Sequence, residues 1–442
     1  MTQPEPLAAA GRSAGPPQAR PAPSGGSAAH EVASVGAAPD LAGQLRRAGR
    51  RKRAFAISLT LPLLLFLLFT FLVPIGALLI RAVENPEVAN TLGRTAQALD
   101  HWNRTSAPPD AAYAALVEDL SAIQEQSDAG ALARRLNSEV SGARSLIMST
   151  YRALPLDKGM TPAQVRERLL ALDARWGDLS YWQAIAKNGS RWTPDYLLAS
   201  LDLKRDIQGN ITKVDADSAA FGKILLRTFQ ISAVVTLWCL LLGYPLAYWL
   251  STLSARKANM LMILVLVPFW TSILVRVAAW IVLLQSNGLV NRSLMGMGLT
   301  DEPLPLLFNR LGVIIAMVHI LLPFMILPLY SVMKSVPNTY LRAAVSLGSS
   351  PLAAFFRVYV PQTWPGVGAG GLLVFILSIG YYVTPALLGG ADDQMLSYYI
   401  AQYTNVNVNW GMACALGAVL LSATLVLYGL YRRVVKSELS LG

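Results

Sequence analysis

The sequence predicts an all-α protein that crosses a membrane several times, and three observations carry that expectation. Of 442 residues, 54% are hydrophobic and only 14% charged, a balance too apolar for an ordinary soluble enzyme. Six stretches, residues 54–80, 224–250, 260–284, 311–333, 367–388 and 410–431, are each long enough to span ~30 Å of hydrocarbon, which takes about 20 helical residues. The net charge of +11 is also unevenly placed: residues 83–220 hold 18 of the 26 acidic residues but only 15 of the 37 basic ones. The excess positive charge therefore sits beside the apolar stretches, as membrane topology requires, and does not form a nucleic-acid face.

Residues 1–43, rich in Ala, Pro, Gly and Ser, are expected to be a disordered cytoplasmic tail. No secretory signal is read there, because the first apolar run starts too late and is too long for a cleaved segment. Residues 44–82 form a basic flank and the first span. The run RRAGRRKR, residues 46–53, puts six positive charges in eight positions and holds the N-terminus in the cytoplasm. Alternate crossings then place Arg256 and Lys257, the segment with Lys334, Arg342 and Arg357, and the tail with Arg432, Arg433 and Lys436 on that same side. Six spans with both termini inside follow.

Residues 83–220 are far longer than a usual connection and are expected to be a helical extracytoplasmic domain. Thr161-Pro162 opens AQVRERLLALDARW with a cap and a first-turn proline, and Leu169, Leu170, Leu172 and Trp176 recur at helical spacing. Similar patterns cover residues 111–123, 131–151 and 194–203. The segment has no paired cysteines and no metal-ligand spacing. Cys239 and Cys414, the only cysteines, lie in apolar runs and read as buried small residues. The Asn-x-Ser/Thr triplets at Asn103, Asn188, Asn210 and Asn291 read as chance.

The remainder, residues 221–436, carries spans two to six. These spans hold no Asp or Glu, but they do hold Arg276, in PFWTSILVRVAAW. A charge deep in a span costs about 2.5–3.5 kcal/mol on insertion scales, so it needs protein or water around it. Ser272, Arg276 and Trp280 share one helical face. Together with Trp270 and Thr271 they are candidates for a translocation pathway; the alternative is an arginine reaching out to the membrane surface. Pro245, Pro268, Pro323, Pro328 and Pro385 interrupt spans two to five. Span five adds Tyr381, Tyr382 and Thr384 near Pro385, a bendable polar stretch suited to a gate. His319 reads as an interhelical hydrogen bonder or as a proton relay.

Residues 335–361, SVPNTYLRAAVSLGSSPLAAFFRVYVP, read as two short helices around a tight break. Gly348 is a helix stop, since glycine alone enters the left-handed conformation freely. Ser350-Pro351 is a restart, and Pro361, Trp364 and Pro365 end the second helix. Tyr340, Leu341, Ala344, Val345, Leu352, Phe355, Phe356 and Tyr359 give both pieces an apolar face for another protein to push on.

The spacing Ala343-Ala344, three residues, Gly348, nine residues, Val358-x-Val360-Pro361 resembles the EAA loop of ABC-importer permeases, with Arg342 standing where the family has its acid. LVPFWTSILVRVAAW with NGLVN, HILLPFMILPLYSVMKSVP and GLLVFILSIGYYVTPALLGG resemble spermidine/putrescine-type permeases, over residues 225–436. The resemblance implies a type I ABC-importer fold. It also implies a non-catalytic transport subunit in a bacterial inner membrane, importing a polyamine or related amino compound. Its ATPase-coupling residues would be Arg342, Ala343, Ala344, Gly348, Phe355, Phe356, Arg357 and Pro361. The implied partners are two ATP-binding subunits, a second related permease chain and an external solute-binding protein. The chain has no GxxxxGK[ST], so ATP-Mg would sit on the partner and no cofactor on this chain. A secondary transporter would want an intramembrane acid, and a membrane sensor would want a cytoplasmic coiled coil. Neither feature is present.

Overall fold

The computed structural model describes residues 41–157, 159–206, 209–215, 217 and 219–439. Six helical stretches are long and apolar enough to cross a membrane. They are span one, Ile57–Arg81; span two, Phe221–Thr252; span three, Ile273–Gly296; span four, Arg310–Ser335; span five, Pro351–Gly380; and span six, Trp410–Arg433. The protein is a multi-pass α-helical membrane protein with a large, mainly helical insertion between spans one and two.

Span one belongs to a single helix, Leu41–Arg81. Its large apolar side chains from Ile57 to Phe69 are exposed, as a hydrocarbon-facing helix requires. Of the tail expected over residues 1–43, residues 1–40 lie outside the described residues. Leu41 already begins the helix, so the boundary moves back by a few positions.

Spans two, four and five form the centre of the core, where Val235, Cys239, Met317, Met325 and Val374 are buried in one cluster with Val277 and Leu284. Gly366 and Gly370, four residues apart on one face of span five, let span four come close. A Cβ at Gly370 would lie 2.9 Å from Met325 Sδ, and one at Gly366 would lie 3.0 Å from Val332 Cβ.

Two expected spans are broken. The stretch 260–284 is a helix Ala255–Leu266, a 3₁₀ turn Val267–Trp270 and a second helix Ile273–Leu284. Pro268 opens the turn, and Thr271 is extended at φ −92°, ψ 147°. The third crossing therefore starts later, at Ile273, and a turn at residues 285–288 separates its helix from the short helix Leu289–Gly296. The stretch 367–388 stops at Gly380, and Val383–Leu388 is a separate short helix. Pro245, Pro323 and Pro328 lie inside continuous helices, so only Pro268 and Pro385 accompany a break.

The insertion has its own core around Trp176, Trp182, Tyr113, Leu116, Leu132, Leu146 and Ile185, all buried. Each polar handle is satisfied: Trp176 Nε1 donates to Thr150 Oγ1 at 2.9 Å, Trp182 Nε1 to Trp176 O at 2.8 Å, and Tyr113 Oη to that same carbonyl at 3.2 Å. The helix Pro162–Leu172 opens with the expected cap, extended to a full capping box between Thr161 and Gln164. The pattern over 111–123 appears as the helix Asp110–Ala122. The pattern over 131–151 is two helices, Gln126–Asn137 and Ala143–Ala153, because Gly142 turns the chain at φ +86°. That over 194–203 contracts to Asp195–Ser200. The insertion also holds an antiparallel pair, β1 (Leu203–Arg205) and β2 (Ile211–Lys213), with Lys204 opposite Thr212, so the expectation of helix alone fails there.

Candidate functional site: the elbow and the broken spans

The segment after span four is an elbow. Its first arm is the helix Asn338–Ser346, none of whose side chains is fully buried, although Leu341 rests against the core. Gly348 ends it at φ +93°. Ser349 N–H donates to Ala344 O at 3.1 Å and Gly348 N–H to Val345 O at 3.0 Å, the paired bonds of a glycine-closed helix end. The second arm restarts at Ser350, whose hydroxyl accepts from Ala353 N–H at 3.3 Å, with Pro351 at the first helical position.

The second arm does not end at Pro361, Trp364 and Pro365, as the sequence suggested. Pro351–Ala354, a π-turn Phe355–Tyr359 and Val360–Gly380 run on as one helical rod. In the π-turn Val360 N–H reaches back five residues to Phe355 O. This widened turn immediately precedes Pro361, whose missing N–H and ring would strain a tight turn.

The elbow is anchored from inside by aromatics. Phe355 and Tyr359 pack against Tyr248 of span two at centroid distances of 5.1 and 5.3 Å, and stack on each other at 5.5 Å. Tyr244 Oη and Thr363 Oγ1 are hydrogen-bonded at 2.9 Å. Lys334 Nζ donates to Ser251 O and Leu253 O at 3.1 and 3.0 Å, joining the C-terminal ends of spans two and four. Outward, Leu347 (89% exposed), Leu352 (73%) and Phe356 (64%) stand uncovered beside Tyr340 and Val345. Arg342, Ala343, Arg357 and Pro361 are exposed and Ala344 is half-buried. The expected coupling set thus divides, with Phe355 packed on the core, Ala344 half-buried and the others exposed.

Span two, 32 residues or about 48 Å, separates this end from the insertion, which joins span two at Phe221. The elbow and the insertion therefore sit at opposite ends of the same helix.

The break after Trp270 places the pathway candidates differently. Trp270 is 77% exposed. Thr271 Oγ1 bonds back to Pro268 O at 2.7 Å, and Ser272 sits at the N-terminal boundary of Ile273–Leu284 without a side-chain cap bond. Arg276 is half-buried, its guanidinium 5.9 Å from the Phe269 ring centre, with Nε lacking a hydrogen-bond partner. Trp280 Nε1 donates to His319 Nδ1 at 3.2 Å, linking spans three and four, which favours the interhelical reading of that histidine. Tyr381 O accepts from Ser397 Oγ at 2.7 Å, Tyr382 is exposed, and Thr384 is buried with its hydroxyl unpartnered.

Asn291 was given no role in the sequence. It is buried, and its side chain bonds Gln285 O, Leu304 O and Leu304 N–H, which closes the turn between spans three and four and leaves no room for a glycan. The Gly-x-x-x-Gly of Gly366 and Gly370 was also unremarked, although the spacing is legible. Both cysteines are free, Cys239 buried and Cys414 half-buried. Among the described residues no group of three His, Cys, Asp or Glu could hold a metal ion.

Residues 232–438 match the family described as binding-protein-dependent transport system inner membrane component. The chain is 37% identical over 208 residues to the spermidine/putrescine transport system permease protein PotB of Haemophilus influenzae, covering 47% of this chain and 73% of that one. Against PotB of Escherichia coli (strain K12) the identity is 37% over 196 residues, covering 44% and 71%. The putative 2-aminoethylphosphonate transport system permease protein PhnU of Salmonella choleraesuis is 28% identical over 231 residues, covering 49% and 76%.

Proposed function

We propose, from the premise that this chain belongs to the binding-protein-dependent transport system inner membrane component family and is an ABC-importer permease subunit, that it passes a polyamine or a related small amino compound and is driven through its elbow. The named substrates of the relatives, spermidine, putrescine and 2-aminoethylphosphonate, share an amino group. The spans carry no acid to hold a polycation, so aromatic faces and hydroxyls would carry the contacts along the path. Arg276, Tyr381 and Thr384 are the proposed lining groups.

The observation that carries the drive is the elbow's construction: an apolar, uncovered outer face on a Gly348-closed turn, fixed by Phe355 and Tyr359 to span two. Two ATP-binding subunits docked on this face and on that of a second, related permease chain would draw the two elbows together on binding ATP-Mg. The rigid second arm delivers that movement to the break at Tyr381 and Tyr382, changing which side the path opens to. Arg342 would meet an acid of the ATPase, reversing the polarity of the family's usual contact. In this arrangement the elbow and both termini are cytoplasmic. Residues 83–220 lie outside, where a solute-binding protein delivers the solute and docks against the insertion.

Purification from the native membrane tests the reading, with stoichiometric recovery of an ATP-binding protein expected. Gly348→Pro cannot adopt φ +93° and is expected to abolish uptake of labelled putrescine while the protein stays in the membrane. Wild-type uptake by that variant would overturn the lever, and ATPase-free purification would overturn the docking.

A further inference from the structure

A water-facing surface scatters single apolar side chains, whereas a gathering of them marks a contact. Among the described residues of the insertion, the exposed large apolar side chains are Leu172, Trp192, Leu201 and Ile211. Leu172 stands apart, at the end of a helix whose Val165 and Leu169 belong to the insertion's own core. The other three fall together within residues 192–211.

Hydrogen bonds fix where that stretch lies. Trp192 is bridged to Glu84, just beyond the end of span one at Arg81, and Thr193 N–H donates to Val83 O at 2.8 Å. Leu201 precedes Asp202, whose carboxylate accepts from the N–H groups of Ala220, Phe221 and Gly222 at 3.1, 3.0 and 2.7 Å, where span two begins. Between them the helix Asp195–Ser200 buries Tyr196 with Ala82, Ile224 and Met412, at the ends of spans one, two and six. The β1–β2 hairpin lies back along that helix, because Arg205, opposite Ile211, bonds Asp195 at 3.1 Å. The insertion is therefore apolar outside where it meets the span ends. Ile80 of span one and Leu226 of span two are exposed as well, so the lipid-facing surface of the spans continues onto this face. Span two is about 48 Å long and a bilayer with its headgroups about 40–45 Å thick, which sets the start of that span at the headgroup level.

We propose that the face formed by Trp192, Leu201 and Ile211 rests on phospholipid, in the headgroup layer of the leaflet on the insertion's side. Tryptophan suits that layer, since its ring is largely apolar while its indole N–H can meet headgroup oxygens. Leu201 and Ile211 reach toward the acyl boundary beside it. Lipid contact gives the base of the insertion a second hold on the membrane, next to the seat of Tyr196 on span six. The proposal needs only that the spans cross a bilayer, and it does not rest on the transport reading.

Nitroxide labels placed one at a time test it, on the full chain carrying Cys239→Ala and Cys414→Ala in phosphatidylcholine vesicles. Trp192→Cys, Leu201→Cys and Ile211→Cys are compared with Leu172→Cys, all at exposed positions where a label leaves the fold intact. Each label is relaxed by oxygen, which concentrates in lipid, and by a nickel chelate, which stays in water. The oxygen-to-nickel ratio is expected to be at least about three-fold higher at the first three positions than at position 172. A ratio below that margin at two or more of the three would overturn the proposal. So would shielding of these labels from both agents, which is the mark of a protein cover.

Discussion

The ring of Tyr196 fills the space in front of Gly411: a Cβ on that glycine would lie 2.3 Å from Tyr196 Cε2 and 2.4 Å from Cζ. Tyr196 belongs to the insertion helix Asp195–Ser200 and is buried with Met412, Ala415 and Leu416 of span six and Ala82 at the end of span one. On its other side it meets the Arg135 guanidinium. Burial pushes its phenol up to about 12, so the ring stays neutral there. One aromatic side chain thus fastens the insertion to the membrane core.

Replacing Gly411 by alanine should break that joint. The methyl group would overlap ring carbons that cannot withdraw, an overpacking that costs about 1–3 kcal/mol. Thermal unfolding of Gly411→Ala should begin several degrees lower, with faster hydrogen exchange over residues 195–200. Adding Tyr196→Ala should cost less than the two single changes together, because the clash is gone.

At the elbow, Tyr248→Ala removes the surface on which Phe355 and Tyr359 rest. On the proposed drive, the assembled transporter should still hydrolyse ATP, but uptake per ATP should fall several-fold, since the elbow would move without carrying span two. Phe355→Ala should do the same, with the double variant little worse than either single one. Additive losses would show that the rings act separately.

Between spans four and five, Gly370→Val directs two methyl groups at Met325. Folded protein recovered from the membrane should drop sharply. Gly370→Ala, with a Cβ 2.9 Å from a flexible Met Sδ but 3.1 Å from backbone, should be intermediate.

In the insertion, Glu139 lies between Arg135 (3.1 Å) and Lys187 (2.9 Å). Burial alone would raise its carboxyl, but the two cations outweigh it and hold the group below its ordinary value of 4.5. A depressed folded value makes the carboxylate stabilising above the unfolded value, with that stability lost as pH falls through the folded one. Hydrogen-exchange protection of the helix Gln126–Asn137 should therefore weaken below about pH 4.5, relative to Glu139→Gln at each pH.

How far the sequence could be read depended on the range of the forces involved. The positions of spans one, two, four and six followed from hydropathy alone, and Gly348, Ser350 and Thr161 announced their helix ends because capping is local. Two junctions misled. Pro361 and Pro365 read as a stop, but a π-turn upstream accommodates them, and nothing at i±4 announces a widened turn. Pro268 read as a kink and is a full break, because Thr271 leaves the helix as well. At the candidate site, the residues of the elbow were legible as a contiguous motif. The bond from Trp280 to His319 and the seating of Tyr196 on Gly411 depend on tertiary packing between distant segments, which no local pattern encodes.

The π-turn at Phe355–Tyr359 also sets where this chain tolerates a change of length. Each residue of an α-helix advances the side-chain direction by about 100°, so deleting one residue along most of the rod would swing Gly366 and Gly370 away from span four. The wide turn already holds one residue more than an α-turn needs. Losing a residue there would tighten it to an ordinary turn and leave the helix beyond in phase. Deletion of Val358 should therefore preserve assembly where deletion of Gln362, between the wide turn and the two glycines, destroys it, and length variation among homologous chains should gather at this one point of the rod.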